Sequence, residues 1–293
     1  MKQKFSLFQC LLSFGMILIS LTMVIPLLNI LAISLSDSSV STTMNGLEII
    51  PKEFTLVNYQ LILENPNIMP ALKNSIFITL VGTLINVSLT CMAAYALTKK
   101  DLVGRQYIMV FLVIMMLFDP GLIPEYLTIQ QLNLMGSQWS VILVTAVNVY
   151  YLIILMRYFE AVPAELYEAA KLDGAGHFRI LWQIAVPLTK TGIAVITMFY
   201  GVLRWNEYFK SGLYISSPEK TPLPVILREF LVLNDTSKLL GVANTFDYEV
   251  VSRLDINALK YAAIVVSIIP ILLIYPFVLK FYAKDVMSGG VKE

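Results

Sequence analysis

The chain has 293 residues, of which 57% are hydrophobic and 14% charged, with a formal net charge of +1 and a mean hydropathy of +0.74. A soluble domain carries roughly 25% charged residues, so this composition excludes an ordinary soluble enzyme and points to a polytopic membrane protein. The charge gives no reason to expect nucleic acid as a partner, and the two cysteines, Cys10 and Cys91, lie in or beside apolar runs and build neither a disulfide framework nor a metal site.

Lys2 and Lys4 precede an apolar stretch that runs to Leu35. A signal-peptide core spans only roughly 7–15 residues, so this stretch reads as an uncleaved first span. Six runs reach the length of about 20 apolar residues that a membrane crossing asks for. They are approximately Leu11–Leu35, Leu72–Leu97, Tyr107–Ile123, Trp139–Arg157, Leu188–Tyr208 and Leu259–Phe281. Lipid offers backbone groups no partners, so the spans are helices. A barrel would show alternating segments of about 10 residues instead of solid runs. The expected fold is all-α, a six-helix transmembrane protein forming a single domain over residues 1–293.

Basic residues set the orientation. The connection Thr98 to Gln106 contains Lys99, Lys100 and Arg105, while Pro124 to Gln138 has neither Lys nor Arg. The former is expected in the cytoplasm, with both termini, in keeping with Lys2, Lys4, Lys280, Lys284 and Lys292. Two longer connections then face outside. Ser36–Ala71 carries the turn signals Asn65-Pro66 and Met69-Pro70, and Ser211–Ala258 has apolar residues at helical spacing over Val225–Leu233. They read either as a cap over the bundle or as inert surface loops.

Polar residues within spans are costly, and each is a candidate site. Asp119 precedes Pro120, Gly121 and Pro124, which should end the third helix early; it reads equally as a cap or as a substrate contact. Gly82 and Asn86, four apart, read as a helix–helix contact, with substrate contact the alternative. The fifth run ends Tyr200-Gly201-Val202-Leu203-Arg204-Trp205-Asn206-Glu207-Tyr208. Tyr200, Arg204 and Glu207 share one face by spacing, and with Trp205 and Asn206 they offer the rings and hydrogen-bonding groups that sugars suit. An interfacial aromatic belt explains the same residues.

No phosphate-binding GxxxxGK[ST] loop, HExxH or GxSxG motif occurs, so neither an ATP site nor hydrolytic chemistry is expected in this chain. A transporter without its own ATP site uses an ion gradient or borrows a motor. Either reading is open here, but the spans lack the buried carboxylate and histidine relays of a proton-coupled carrier.

Between the fourth and fifth runs lies Ala164–Pro187, a polar segment that the topology places in the cytoplasm and that contains the single histidine, His177. Pro163 suits a first helical position, Ala164 to Leu172 are good helix formers, and Gly174 stops the run. The resulting helix of about 10 residues is too short to stand alone. It either docks on a cytoplasmic partner or is an interfacial loop.

Glu168-Ala169-Ala170, Asp173-Gly174-Ala175 and Ile184-Ala185-Val186-Pro187 resemble the EAA motif of ABC-importer permeases, with Val186 in place of the usual leucine. Ala93-Ala94-Tyr95-Ala96-Leu97, Pro163-Ala164-Glu165-Leu166, Trp205-Asn206-Glu207-Tyr208 and the tail Gly289-Gly290-Val291-Lys292 resemble carbohydrate-uptake permeases of the maltose-permease G-subunit type. Thr191 and Asp285 depart from that pattern, standing where proline and glycine are common. The resemblance implies a bacterial cell-membrane permease subunit with a cytoplasmic coupling helix, in which Glu168, Ala169, Ala170, Asp173, Gly174 and Pro187 meet an ATPase. It implies a second, different permease, two ATPase subunits that hold ATP and Mg, an extracytoplasmic solute-binding protein, and an oligosaccharide cargo, uronate oligomers included. It also makes Lys292 a C-terminal contact to the ATPases.

Overall fold

The computed structural model describes residues 7–233 and 255–289, and side chains for residues 8–233 and 255–276. Its elements are helices: α1 (Leu7–Ser34), α2 (Ser38–Ser41), α3 (Val57–Glu64), α4 (Ile68–Thr98), α5 (Arg105–Leu117), α6 (Leu122–Gln131), α7 (Gln138–Val144), α8 (Val149–Glu160), α9 (Ala164–Leu172), α10 (His177–Leu188), α11 (Lys190–Trp205), α12 (Phe209–Tyr214), α13 (Leu223–Leu231) and α14 (Ile256–Gly289). Among the described residues the only extended pairing is an isolated bridge between Ser36 and Phe54, so the fold is all-α.

α1, α4 and the described apolar part of α14 are each long and apolar enough to cross a membrane unbroken. The remaining runs are bent pairs: α5 and α6 meet at 116°, α7 and α8 at 53°, α10 and α11 at 88°. Each bend has a local cause. α5 stops at Leu117, short of the expected Ile123, because Pro120 cannot continue it and Gly121 takes φ +82°. The Asp119 carboxylate accepts the Gly121 N–H at 2.9 Å and fixes that turn. α8 restarts at Asn148, whose Oδ1 accepts the N–H groups of Tyr150 (2.9 Å) and Tyr151 (3.2 Å), an N-cap. α10 carries a π turn over Leu181–Ala185, with the Val186 N–H reaching back to the Leu181 carbonyl. Pro187 follows with no N–H and with its ring against the carbonyl four residues before, so a regular turn cannot close there.

The described residues pack as two compact units, one from those up to Met69 together with those between Ile226 and Pro270, the other from Pro70–Val225 and those from Ile271 on. In the first unit, the stretch after α1 is tied down by side chains bonding backbone. Asn29 Nδ2 donates to the carbonyls of Asn45 (3.0 Å) and Glu48 (2.7 Å), and Asn58 Nδ2 to those of Ser34 and Ser36 (3.1 Å each). Asp255 caps α14 through the Asn257 N–H (2.8 Å) and accepts the Ser41 hydroxyl (2.6 Å). Residues 36–64 thus form an ordered structure without a strand ladder.

Among its described residues the second unit has two apolar cores. One gathers Tyr95, Leu155, Phe159, Ala170, Ile180 and Ile196; the other gathers Ile78, Ile129, Val141, Ile142, Tyr214 and Ile215. α8 and α11 cross closely at Gly192, where a Cβ would sit 2.5 Å from the Tyr158 ring. Only glycine admits that approach.

Candidate functional site: the segment between the fourth and fifth spans

α9 is nine residues long, below the length at which a helix holds itself in water. Its C-terminus is closed by a Schellman motif: the Gly174 N–H donates to the Lys171 carbonyl (3.0 Å) and the Ala175 N–H to that of Ala170 (2.9 Å), with Gly174 at φ +77°. One face is held down. Ala170 is buried, and the Tyr167 hydroxyl donates to the Phe159 carbonyl at 3.2 Å. Burial, then the neighbouring Tyr95, pushes the Tyr167 phenol up to about 12. The opposite face is bare, with Glu165, Glu168, Ala169, Lys171, Asp173 and Gly174 exposed. Leu172 at the helix end is 90% exposed, and Phe178 at the start of α10 is 71% exposed. Burying a leucine is worth about 2 kcal/mol, so this tip presents binding energy that the chain itself leaves unused.

The base of the segment is braced by charge. Glu160 pairs with Arg157 (2.9 Å) and Arg105 (3.5 Å), and Arg105 Nε donates to the Leu97 carbonyl (2.7 Å). The exit is an elbow: Pro187 is exposed, and buried Thr189 returns both its N–H (3.1 Å) and its hydroxyl (2.8 Å) to the Ala185 carbonyl.

The residues expected on the substrate side separate into two groups. Tyr200 and Arg204 are 1% and 2% exposed and are occupied inside the protein. Arg204 Nη1 donates to the Val141 carbonyl (2.6 Å); Nη2 donates to the carbonyls of Ile142 (2.6 Å) and Thr145 (3.1 Å) and to Asn86 Oδ1 (2.9 Å). These carbonyls end α7, where a helix has no further N–H groups to offer and its dipole favours a cation. One turn earlier, the Tyr200 hydroxyl accepts the Asn148 N–H (2.9 Å) at the start of α8 and bonds the Thr90 hydroxyl (2.9 Å). The two residues, four apart on α11, thus grip both lips of the break in the fourth span. Gly82 leaves room for the arginine: a Cβ there would stand 3.0 Å from Arg204 Nε. Gly82 and Asn86 are therefore a helix–helix contact. Arg204 Nε and Asn86 Nδ2, with the hydroxyls of Thr79 and Thr83, find no acceptor or donor among the described protein groups.

Trp205 is buried and ends α11; Asn206 caps it and is exposed. Glu207 lies beyond the helix, so the one-face alignment with Tyr200 stops at Arg204; its carboxylate accepts the Lys210 N–H (2.9 Å) at the start of α12. Asp119 is exposed in its turn. Lys292 lies outside the described residues. A cluster that the sequence did not single out is Glu125 on α6, which pairs with Lys210 (2.7 Å) and accepts the Tyr214 hydroxyl, joining α6 to α12. Its signal was a lone acid in a connection free of Lys and Arg.

Residues 87–288 match the family described as the inner membrane component of binding-protein-dependent transport systems. The chain belongs to this family. It is a permease subunit of an ABC importer, a membrane-spanning protein of the inner membrane and not itself an enzyme. A permease of this kind works with a second permease, an ATPase and a binding protein. The permease is 36% identical to LplC of Bacillus subtilis over 269 residues, 92% of this chain and 89% of that one. It is 35% identical over 286 residues to the polygalacturonan/rhamnogalacturonan transport system permease YtcP of Bacillus subtilis, covering 98% of each. Among solved structures it superposes on a chain of a bacterial ABC transporter involved in the import of the acidic polysaccharide alginate. There the TM-score is 0.86 with 27% identity, over 96% of this chain and all of the other.

Proposed function

We propose that this permease forms half of the translocation pathway of a bacterial importer for oligosaccharides, with acidic uronate fragments as its cargo class, and that α9 is the helix through which cytoplasmic ATPases drive it. The observation that carries the mechanical half is the tip of α9: a Schellman-closed helix too short to stand alone, held by Ala170 and Tyr167 and offering Leu172 at 90% exposure. The names of YtcP and of the alginate importer support the cargo.

In this reading Glu168, Ala169, Asp173 and Gly174 face the ATPase, while Ala170 faces the permease and sets how deeply α9 sits. Pro187 with the π turn forms the elbow that passes the movement to α11. ATP and Mg reside in two ATPase subunits, the second permease is a different chain, and Lys292 meets the ATPase dimer. The six spans form one transmembrane domain with both termini in the cytoplasm, and residues 36–64 and α13 lie on the outer side, where the solute-binding protein docks. Of the outer residues, Asn206 and Glu207 are left on the pathway side with Asp119, while Tyr200, Arg204 and Trp205 hold the wall from within.

The test is uptake by the reconstituted complex against a panel of neutral and uronate oligosaccharides. Uptake and stimulated ATP hydrolysis are expected with binding protein and acidic oligomers. Uptake driven by an ion gradient without ATPase would overturn the mechanism, and transport of neutral oligomers alone would overturn the cargo.

A further inference from the structure

α4 ends at Thr98, and the next residue, Lys99, extends its side chain between two aromatic rings. Its Nζ lies 4.3 Å from the centroid of Tyr95 on α4 and 4.3 Å from that of Tyr167 on α9. Those distances are well inside the range at which an ammonium is held by the ring quadrupole. The rings support each other: Tyr95 meets Tyr167 edge-on at 6.2 Å, Phe159 at 6.3 Å and His177 at 6.3 Å. Tyr167 is further fixed by its bond to the Phe159 carbonyl. Among the described residues no ion pair holds Lys99. Burial, followed by the Lys171 ammonium, lowers its pKa, with Asp101 acting the other way. A lysine that gives up hydration without taking a carboxylate is held by its rings.

We infer that Lys99, clamped between Tyr95 and Tyr167, is a positioning residue that ties α9 to the inner end of the second span, giving the ATPase stroke a second route into the membrane besides the chain through Pro187. The Tyr167–Phe159 bond seats α9 on the end of α8, and the clamp adds a tie to α4. The clamp sits midway along α9, on the turn opposite the exposed face, and makes α9 and α4 move together. Within one turn of α9, Tyr167 faces the clamp while Glu168 and Ala169 face outward. The inference rests on the reading of α9 as the coupling helix, and the control below separates the two.

The full complex is reconstituted with Lys99→Met, Lys99→Arg, Tyr167→Phe, Tyr167→Leu and, as the control, Leu172→Asp, and scored for ATPase co-purification and for uptake per ATP hydrolysed. Lys99→Met and Tyr167→Leu should lower uptake per ATP several-fold while the ATPase still co-purifies. Lys99→Arg, which keeps the cation, should hold the wild-type ratio, and Tyr167→Phe, which keeps the ring but loses the Phe159 bond, should hold most of it. The double variant Lys99→Met/Tyr167→Leu should be no worse than either single variant, since both remove one interaction. Wild-type uptake per ATP in Lys99→Met, or a loss that Lys99→Arg does not repair, would overturn the clamp. Leu172→Asp reports on the underlying reading: it should lose ATPase, and if it keeps both ATPase and uptake, then α9 is not the coupling helix and the clamp falls with it.

Discussion

Arg204 is the residue whose role changed most between sequence and structure. In the sequence it stands next to Trp205 and Tyr208 at the end of an apolar run, where a sugar contact and an interfacial belt are equally good accounts. In the structure it is a buried cation bound to the carbonyl end of a broken helix, with Asn86 as its side-chain partner. An uncompensated charge in a bilayer is expensive, and here carbonyl dipoles of α7 take the part of a counter-ion. The reason was not legible because the break in the fourth span has only a weak local signature, the N-cap residue Asn148. Ala146-Val147-Asn148 contains neither proline nor glycine, and the gap is held open by Arg204 and Tyr200 from another helix. Replacing Arg204 by leucine leaves three carbonyls and the Asn86 amide without partners, and each unsatisfied buried group costs about 1–3 kcal/mol. The purified permease is expected to lose more than about 3 kcal/mol, seen as a markedly lower thermal midpoint in detergent. Lysine should recover only part of this, because a single ammonium cannot reproduce the planar fork. A leucine variant with an unchanged midpoint would show that the joint carries no stability.

At the scale of the element, α9 was the most readable part of the chain. Its start at Pro163, its stop at Gly174 and its dependence on a support all follow from residue types, and the structure adds the Schellman bonds and the side that is supported. The neighbouring elbow was less readable. Pro187 announces a disturbance, but not that it would take the form of a π turn followed by an 88° bend, because the direction is chosen by what Leu181 and Ala185 pack against. Gly174 allows a clean test. Its φ is +77°, and nothing lies within 4 Å of where a Cβ would be, so substitutions there report backbone strain without steric clash. The left-handed conformation costs an ordinary residue about 1–2 kcal/mol, and asparagine less. Uptake should therefore fall in the order Gly, Asn, Ala, Val, with Ala several-fold down. An equal rate across the series would show that the turn at Gly174 is not needed for coupling.

For the whole molecule, the apolar runs predict six spans, and the structure gives three unbroken helices and three bent pairs in their places. α1 and α4 run unbroken, while the helices that frame α9 are interrupted. Orientation rests on the basic residues of the connection after α4 and is open to a direct measurement. Val103 in that connection is 94% exposed, and Ile123 at the start of α6 is 73% exposed. Of the two native cysteines, Cys91 is buried, out of reach of the reagent, and Cys10 is exposed. In a Cys10→Ser background, Val103→Cys should react with a membrane-impermeant maleimide only in inside-out vesicles, and Ile123→Cys only in right-side-out ones. The reverse pattern would place α9 outside the cell, out of reach of any cytoplasmic ATPase. The orientation and the role of α9 would then fail together, since a helix can be driven by ATP only on the side where ATP is found.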